Sequence, residues 1–125
     1  MTSIRKVFVT SAAPRCTSPP STEALAAAAG AAHPTLNIVI NNAGVALFGG
    51  FNEIDQAEME WLFNINFWGV VHGTKAFLPY LIESGDGHVV NVSSLNGIMA
   101  QASINAYSAS KFAVRGFTEA LRAEM

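Results

Sequence analysis

Two side chains that together can perform acid-base chemistry, Tyr107 and Lys111, stand four positions apart in the sequence. Residues at this spacing share one face of a helix. The pKa of a free tyrosine is about 10, too high for efficient proton transfer at neutral pH, but a neighbouring ammonium favours the phenolate and lowers that pKa. A tyrosine tuned in this way gives a proton to a carbonyl oxygen or takes one from an alcohol. The spacing alone also arises by chance in helices that perform no chemistry.

A pair of serines precedes Tyr107 and follows an apolar segment. Ser94 ends the run Val-Val-Asn-Val-Ser-Ser, thirteen residues before Tyr107. Ligands of open α/β sheets bind at the carboxyl ends of the parallel strands, where a hydroxyl can hydrogen-bond an oxygen on which charge develops. We therefore predict a catalytic role for Ser94, and we interpret Ser93 as a residue that closes a turn.

Asparagines mark two further candidate positions. The segment Asn41-Asn42-Ala43-Gly44 follows another apolar strand, and Asn66 is a lone amide on an otherwise apolar helix face. Asparagine side chains at strand ends can tie neighbouring strands together, and Ala-Gly lets a flat ring approach the main chain. A plain strand-to-helix turn is the alternative for the first segment. A buried amide without partners costs stability, so Asn66 is either a structural residue or part of a site.

Three short apolar strands alternate with three long helices that would position these residues. The predicted strands are Lys6–Thr10, Leu36–Ile40 and His88–Val92. The predicted helices are Thr22–Ala32 capped by Ser21 or Thr22, Asp55–Leu81 begun by the pair Asp55 and Glu58, and Ala106–Met125. Strands alternating with helices predict a parallel α/β sheet.

Composition excludes several classes of partner. The 125 residues suffice for one domain, half are hydrophobic, 13% are charged and the net charge is −2. No basic patch is available for nucleic acid, and no apolar run reaches the roughly 18 residues of a membrane span. Cys16 is the only cysteine, and His33, His72 and His88 show no ligand spacing, so we expect no disulfide and no metal site. We expect a soluble, cytoplasmic protein.

Four motifs between residues 37 and 125 resemble those of the short-chain dehydrogenase/reductase family in identity, order and approximate spacing. They are Asn-Asn-Ala-Gly, Asn-Phe-Trp-Gly-Val, Asn-Val-Ser-Ser and Tyr-Ser-Ala-Ser-Lys. The resemblance implies a Rossmann-like doubly wound parallel sheet. It also implies an oxidoreductase that uses NAD or NADP to transfer a hydride to or from a small carbonyl or alcohol substrate. Family members commonly associate through helices equivalent to residues 55–81 and 106–125, so we expect a homo-oligomer.

The resemblance also implies roles for individual residues. Tyr107 would be the catalytic acid-base, and Lys111 would lower its pKa and hold the nicotinamide ribose hydroxyls. Ser94 would orient and polarise the substrate carbonyl, and Asn66 would anchor a water that relays protons to Lys111. The cofactor-binding set implied in this way is Asn41, Ala43, Gly44, Tyr107 and Lys111.

The sequence departs from the family at both ends. The first strand continues into Ser11-Ala12-Ala13-Pro14 with none of the glycines that hold a pyrophosphate, and the last helix is still running at Met125. We therefore expect a truncated member, a single partial domain over residues 1–125. Its three strands would be the first, fourth and fifth of the order 3-2-1-4-5-6, which are neighbours. Right-handed crossovers would place all three helices on one face and leave the other bare.

Two hypotheses follow for function. The first is an oxidoreductase with the family's activity, indicated by the four motifs. The second is a catalytically inactive remnant that acts through its helices as an interaction or oligomerisation module, indicated by the missing glycine-rich turn.

Overall fold

A sheet of three parallel strands forms the centre of the protein, for which a computed structural model describes residues 7–10 and 18–125. The strands are β1 (Val7–Thr10), β2 (Ile38–Asn41) and β3 (His88–Asn91), in the spatial order β1-β2-β3. The helices are α1 (Pro19–Ala32), α2 (Gln56–Phe63), α3 (Gly69–Ser84) and α4 (Asn105–Glu124). The predicted contiguous parallel sheet is confirmed. The segment Ser11-Ala12-Ala13-Pro14 and Cys16 lie outside the described residues.

The register of the strands brings the two candidate loops to one edge of the sheet. Thr10 pairs with Asn41, and Asn41 pairs with Asn91, so β2 and β3 end level with one another. The Asn-Asn-Ala-Gly loop after β2 and the Ser-Ser loop after β3 therefore leave the sheet side by side. This is the edge at which open α/β sheets bind ligands.

Helix α1 begins earlier than predicted. Ser18 is its N-cap residue and Pro19 occupies the first turn, where the fixed φ of proline suits the helix and its missing N–H is not needed. The predicted caps Ser21 and Thr22 lie inside the helix, and both hydroxyls donate to the Ser18 carbonyl, at 3.0 and 3.2 Å. The prediction of a cap at these residues is wrong because the proline pair starts the helix before them.

The second predicted helix begins as expected but is not a single α-helix. The Asp55 carboxylate accepts from the Glu58 N–H at 2.8 Å, and the Asp55 N–H donates to the Glu58 carboxylate at 3.1 Å, a complete capping box. Between α2 and α3, however, a π segment covers Asn64–Trp68. Single-turn π segments insert an extra residue into a helix and are frequent at functional sites. Asn66 stands at the centre of this one.

The helices pack on one face of the sheet. The main core cluster joins α1 and α3 to the strands and consists of Ala26, Ala29, Leu36, Val39, Phe77 and Leu81. Helix α4 reaches β3 on the same face, where Asn91 donates to the Thr118 hydroxyl at 3.0 Å. On the opposite face Val90 is 43% exposed, and Ile38 and Ile40 are only half-buried. The predicted one-sided arrangement of helices is confirmed. None of the helices in the described part of the chain is long and apolar enough to cross a membrane.

Candidate active site

Tyr107 and Lys111 lie on one face of α4, as their spacing predicts. The Lys111 Nζ stands 5.7 Å from the centroid of the Tyr107 ring. Tyr107 occupies the first turn of the helix and is half-buried. The helix thus holds a cation beside an aromatic ring at the loop edge of the sheet.

Lys111 is a buried ammonium. Its side chain is 4% exposed, and Nζ donates to the Val92 carbonyl at 3.0 Å, just past the end of β3. Burial lowers the pKa of Lys111 below its ordinary value of 10.5, because desolvation disfavours the charged form. An ammonium carries three donor hydrogens, so two remain for other acceptors.

Asn66 clasps the loop that follows β2. Its Oδ1 accepts from the Val45 N–H at 2.8 Å, and its Nδ2 donates to the Val45 carbonyl at 2.9 Å and to the Ser110 hydroxyl at 3.0 Å. The side chain is fully buried, so the lone amide in the apolar helix face has found the partners that burial demands. The side chain joins the π segment, the loop and α4. The predicted role of Asn66 in holding a water stays a prediction.

Gly44 brings the same loop against the ammonium. A Cβ added at Gly44 would stand 3.4 Å from the Lys111 Nζ and 3.5 Å from the Asn66 Oδ1. Ala43 beside it is buried, at 8% exposure. The structure therefore brings Ala43, Gly44, Asn66, Tyr107 and Lys111 together.

The two serines after β3 have different partners. The Ser93 hydroxyl donates to the Lys111 carbonyl at 3.0 Å. The prediction that Ser93 closes a turn is wrong, because its hydroxyl connects the strand end to α4. The Ser94 hydroxyl accepts from the Asn96 N–H at 3.2 Å and caps the short turn Leu95–Gly97. Ser94 is thus held near Lys111 through its neighbours Ser93 and Val92.

Two hydroxyl hydrogens at this edge are uncommitted within the described part of the chain. The Tyr107 hydroxyl has no hydrogen-bond partner among the described residues, and the Ser94 hydroxyl donates to none of them. Chemically, the arrangement offers two hydroxyl donors, of which the phenol adjoins a buried cation. Among the described residues no group of three or more His, Cys, Asp or Glu side chains is placed to hold a metal ion.

Asn41 faces the helices, away from the loops. Its Nδ2 donates to the Thr74 hydroxyl at 3.1 Å and to the Asn91 Oδ1 at 2.8 Å, and Asn91 continues the chain of hydrogen bonds to Thr118. This network confirms that an asparagine of the loop motif ties neighbouring strands. The Asn41 carbonyl accepts from the Val92 N–H at 3.0 Å. Sequence analysis missed Asn91 and Thr118, although asparagines at the ends of two adjacent strands were a readable signal.

Comparison with known proteins gives concordant matches. The family model for short chain dehydrogenases matches residues 6–125. The putative oxidoreductase SadH of Mycobacterium tuberculosis is 56% identical over 91 residues, which are 73% of this chain and 33% of the relative. The chain thus spans about a third of the length of the curated relatives that it matches.

Solved structures give the same result for the fold. A short chain dehydrogenase/reductase of Burkholderia phymatum in complex with NAD superposes with a TM-score of 0.84 at 33% identity, covering 88% of this chain and 40% of that one. A metagenomic short-chain oxidoreductase in complex with NADP has a TM-score of 0.81 at 33% identity, with coverage of 87% and 50%. The three strands and their helices are a partial Rossmann-like sheet of the kind found in these proteins.

Proposed function

The chain belongs to the short-chain dehydrogenase family, and from this premise we propose that the protein is an oxidoreductase that uses NAD or NADP to transfer a hydride to or from a carbonyl or alcohol carbon. The observation that carries the proposal is the position of the buried Lys111 ammonium, 5.7 Å from the ring centroid of Tyr107, whose hydroxyl has no partner among the described residues. Family membership and the matched NAD and NADP complexes support the cofactor class.

In the proposed reaction Tyr107 transfers the proton. During reduction its hydroxyl gives a proton to the substrate oxygen, and during oxidation it takes one from the alcohol. Ser94 donates a second hydrogen bond to the same oxygen, which stabilises the charge that develops there. Both roles require hydroxyl hydrogens that no protein group already holds, and neither is donated to a described residue.

Lys111 holds the cofactor and assists the tyrosine. One of its hydrogens is donated to Val92, and the other two would hold the hydroxyl pair of the cofactor ribose. The absence of a side chain at Gly44 keeps this approach open, since a Cβ there would touch Nζ at 3.4 Å. The positive charge of Lys111 lies 5.7 Å from the centroid of the Tyr107 ring. Asn66 keeps the loop in place through two hydrogen bonds to the backbone of Val45.

The remaining cofactor contacts come from the end of β2 and the loop that follows it. Asn41, Ala43 and Gly44 would line the adenosine side of the cleft. When bound, the nicotinamide supplies or accepts the hydride.

Turnover with a matched pair of variants tests this function. The protein at its natural length is assayed with NADH and NADPH against simple ketones and aldehydes. Tyr107→Phe should lower kcat by about 10²- to 10⁴-fold, the usual contribution of general acid-base catalysis, whereas Tyr80→Phe, the other tyrosine, should leave it unchanged. Equal activity of the two variants would contradict the assignment.

A second role, association with further copies of the chain, rests on a different observation. Helices α2 and α4 and the π segment expose large aromatic side chains, Trp61 at 46%, Phe112 at 42% and Trp68 at 47%. Helix α4 also carries Gly116, where an added Cβ would meet nothing within 4 Å. Exposed apolar surface beside small residues suits close approach of another helix.

A variant at Gly116 tests this association. Gly116→Arg has open space around it in the single chain, so it should leave the fold intact but block a neighbouring helix. We expect it to shift the sedimenting species to a smaller mass, and we expect Gly116→Ala to keep the parent's mass. An unchanged sedimenting mass in both variants would mean that α4 takes no part in the association.

A further inference from the structure

Large apolar side chains are concentrated on two loops at the ligand edge of the sheet. Phe48 and Phe51 follow the Asn-Asn-Ala-Gly loop and are 78% and 76% exposed. Ile98 and Met99 follow Ser94 and are 65% and 54% exposed. These four residues are called the apolar rim below. Isolated exposed apolar residues are ordinary, but a group of them beside a polar site marks a binding surface.

The first loop runs from the proposed cofactor lysine toward the catalytic helix. Gly44 adjoins the Lys111 Nζ, and Asn66 holds Val45 by both backbone groups. Four residues later the Gly49 N–H donates to the Ser103 carbonyl at 3.0 Å. Ser103 lies just before α4, four residues before Tyr107. Phe48 therefore lies between two anchored points of the loop. Val45 is held by Asn66, and Gly49 is hydrogen-bonded to Ser103.

The second loop places apolar side chains next to Ser94. Ile98 lines the same surface cavity as Ser94, together with Arg115 and Glu119. Those two charged groups form an ion pair of 2.7 Å with each other, so no unpaired charge enters the cavity from them. The short turn Leu95–Gly97 joins Ser94 to Ile98 and Met99.

Both loops lack side chains that are charged at neutral pH. No Asp, Glu, Lys or Arg occurs from Gly44 to Asn52 or from Val92 to Ser110. Acidic residues begin directly after the first loop with Glu53, whose carboxylate accepts from the Gly50 N–H at 2.6 Å, and continue with Asp55, Glu58 and Glu60. A ligand that carries an anionic group near its reacting oxygen would find no counter-ion on these loops, whereas a hydrocarbon group would be desolvated by them.

We propose that the apolar rim binds the hydrocarbon part of the substrate, so that the carbonyl or alcohol compound carries an alkyl chain or ring beyond its reacting carbon. The proposal rests on the oxidoreductase function above. The rim adjoins Ser94 and the start of the Tyr107 helix, which makes the substrate its occupant. Phe48 and Ile98 are its specificity-determining residues, one on each loop.

A homologous series of substrates tests whether the apolar rim binds the hydrocarbon part of the substrate. The protein at its natural length is saturated with its nicotinamide cofactor, and kcat/KM is measured for methyl ketones from butanone to decanone. Burial of each additional methylene should raise kcat/KM by about threefold to fourfold until the chain passes the rim. Phe48→Ala and Ile98→Ala should each lower kcat/KM for decanone by about tenfold and leave that for butanone nearly unchanged.

Matched variants separate the rim from general effects. Phe48→Leu retains an apolar side chain and should keep the dependence on chain length. Ile82→Ala removes a comparably exposed residue, at 60%, from the far end of α3, and should change nothing. Melting temperatures identical to the parent's show that the variants are folded.

The outcomes distinguish this inference from the function beneath it. The ketones are turned over in two of these outcomes, one with no dependence on chain length and one with a dependence that Phe48→Ala and Ile98→Ala leave intact. Either result contradicts substrate binding by the rim and leaves the oxidoreductase function standing. Turnover of no ketone or alcohol in the series overturns both. A changed sedimentation mass in Phe48→Ala with an intact chain-length dependence makes the rim a protein interface and overturns its role in substrate binding.

Discussion

At the scale of single residues, the charge and the burial of Lys111 oppose each other. The proposed function needs a charged ammonium, yet the side chain is 4% exposed, and burial lowers its pKa below 10.5. Below the lowered pKa the folded protein holds a desolvated charge that the unfolded chain keeps in water. Between the lowered pKa and 10.5 the unfolded chain binds more protons than the folded one, so the free energy of unfolding rises with pH through that window.

Replacement of this lysine should therefore change the pH dependence of stability. Lys111→Met abolishes the desolvated charge and also the hydrogen bond to Val92. The second effect does not depend on pH, but the first is greatest at neutral pH and fades toward pH 10.5. We expect the melting temperature of the variant, relative to the parent, to fall as the pH rises from neutral to 10.5. Lys75→Met, at an exposed lysine of α3, is the control, and a parallel pair of curves for Lys111→Met and the parent would contradict the expectation.

At the scale of elements, the π segment contacts the loop after β2, because Asn66 is hydrogen-bonded to the backbone of Val45. Asn66→Ala would leave the backbone N–H and carbonyl of Val45 without their partners, which should lower the free energy of unfolding by about 1–3 kcal/mol. Asn64 in the same segment is exposed, so Asn64→Ala should change it by less than about 0.5 kcal/mol. Denaturant unfolding of the two variants measures the difference. Equal losses would mean that the clasp on Val45 does not stabilise the loop.

Elements governed by local contacts were predictable from the sequence, and those governed by distant contacts were not. The capping box of Asp55 and Glu58 involves residues three apart, and it forms as expected. The π segment arises where Asn66 meets Val45, 21 residues away, and the hydrogen bond between Asn41 and Asn91 spans 50 residues. No periodicity in the sequence records the first of these pairs, whereas the asparagines at the two strand ends do signal the second. The start of α1 is local, but the predicted cap at Ser21 or Thr22 is wrong because the proline pair occupies the first helical turn.

At the scale of the whole molecule, cofactor binding depends on the segment that follows β1. Residues 11–14 contain no glycine, so no row of free backbone N–H groups is predicted for a pyrophosphate. We expect the 125-residue chain, purified by itself, to bind NADH and NADPH weakly, and calorimetry measures this. A dissociation constant in the micromolar range for either cofactor would contradict the prediction.

The one-sided sheet governs how the chain behaves in solution. All the long helices lie on one face, while Val90 and Val92 on β3 and just beyond it are 43% and 37% exposed. Parallel sheets occur almost only with both faces covered, and bare apolar surface of this kind drives association. We therefore expect the 125-residue chain, purified alone, to self-associate through this face. Val90→Lys should lower the sedimenting mass, because a charge on the bare face resists burial, whereas Lys75→Met on the helical side should not. A monomeric parent chain that melts cooperatively would contradict the expectation, since it would mean that three strands covered on one side suffice for a stable fold.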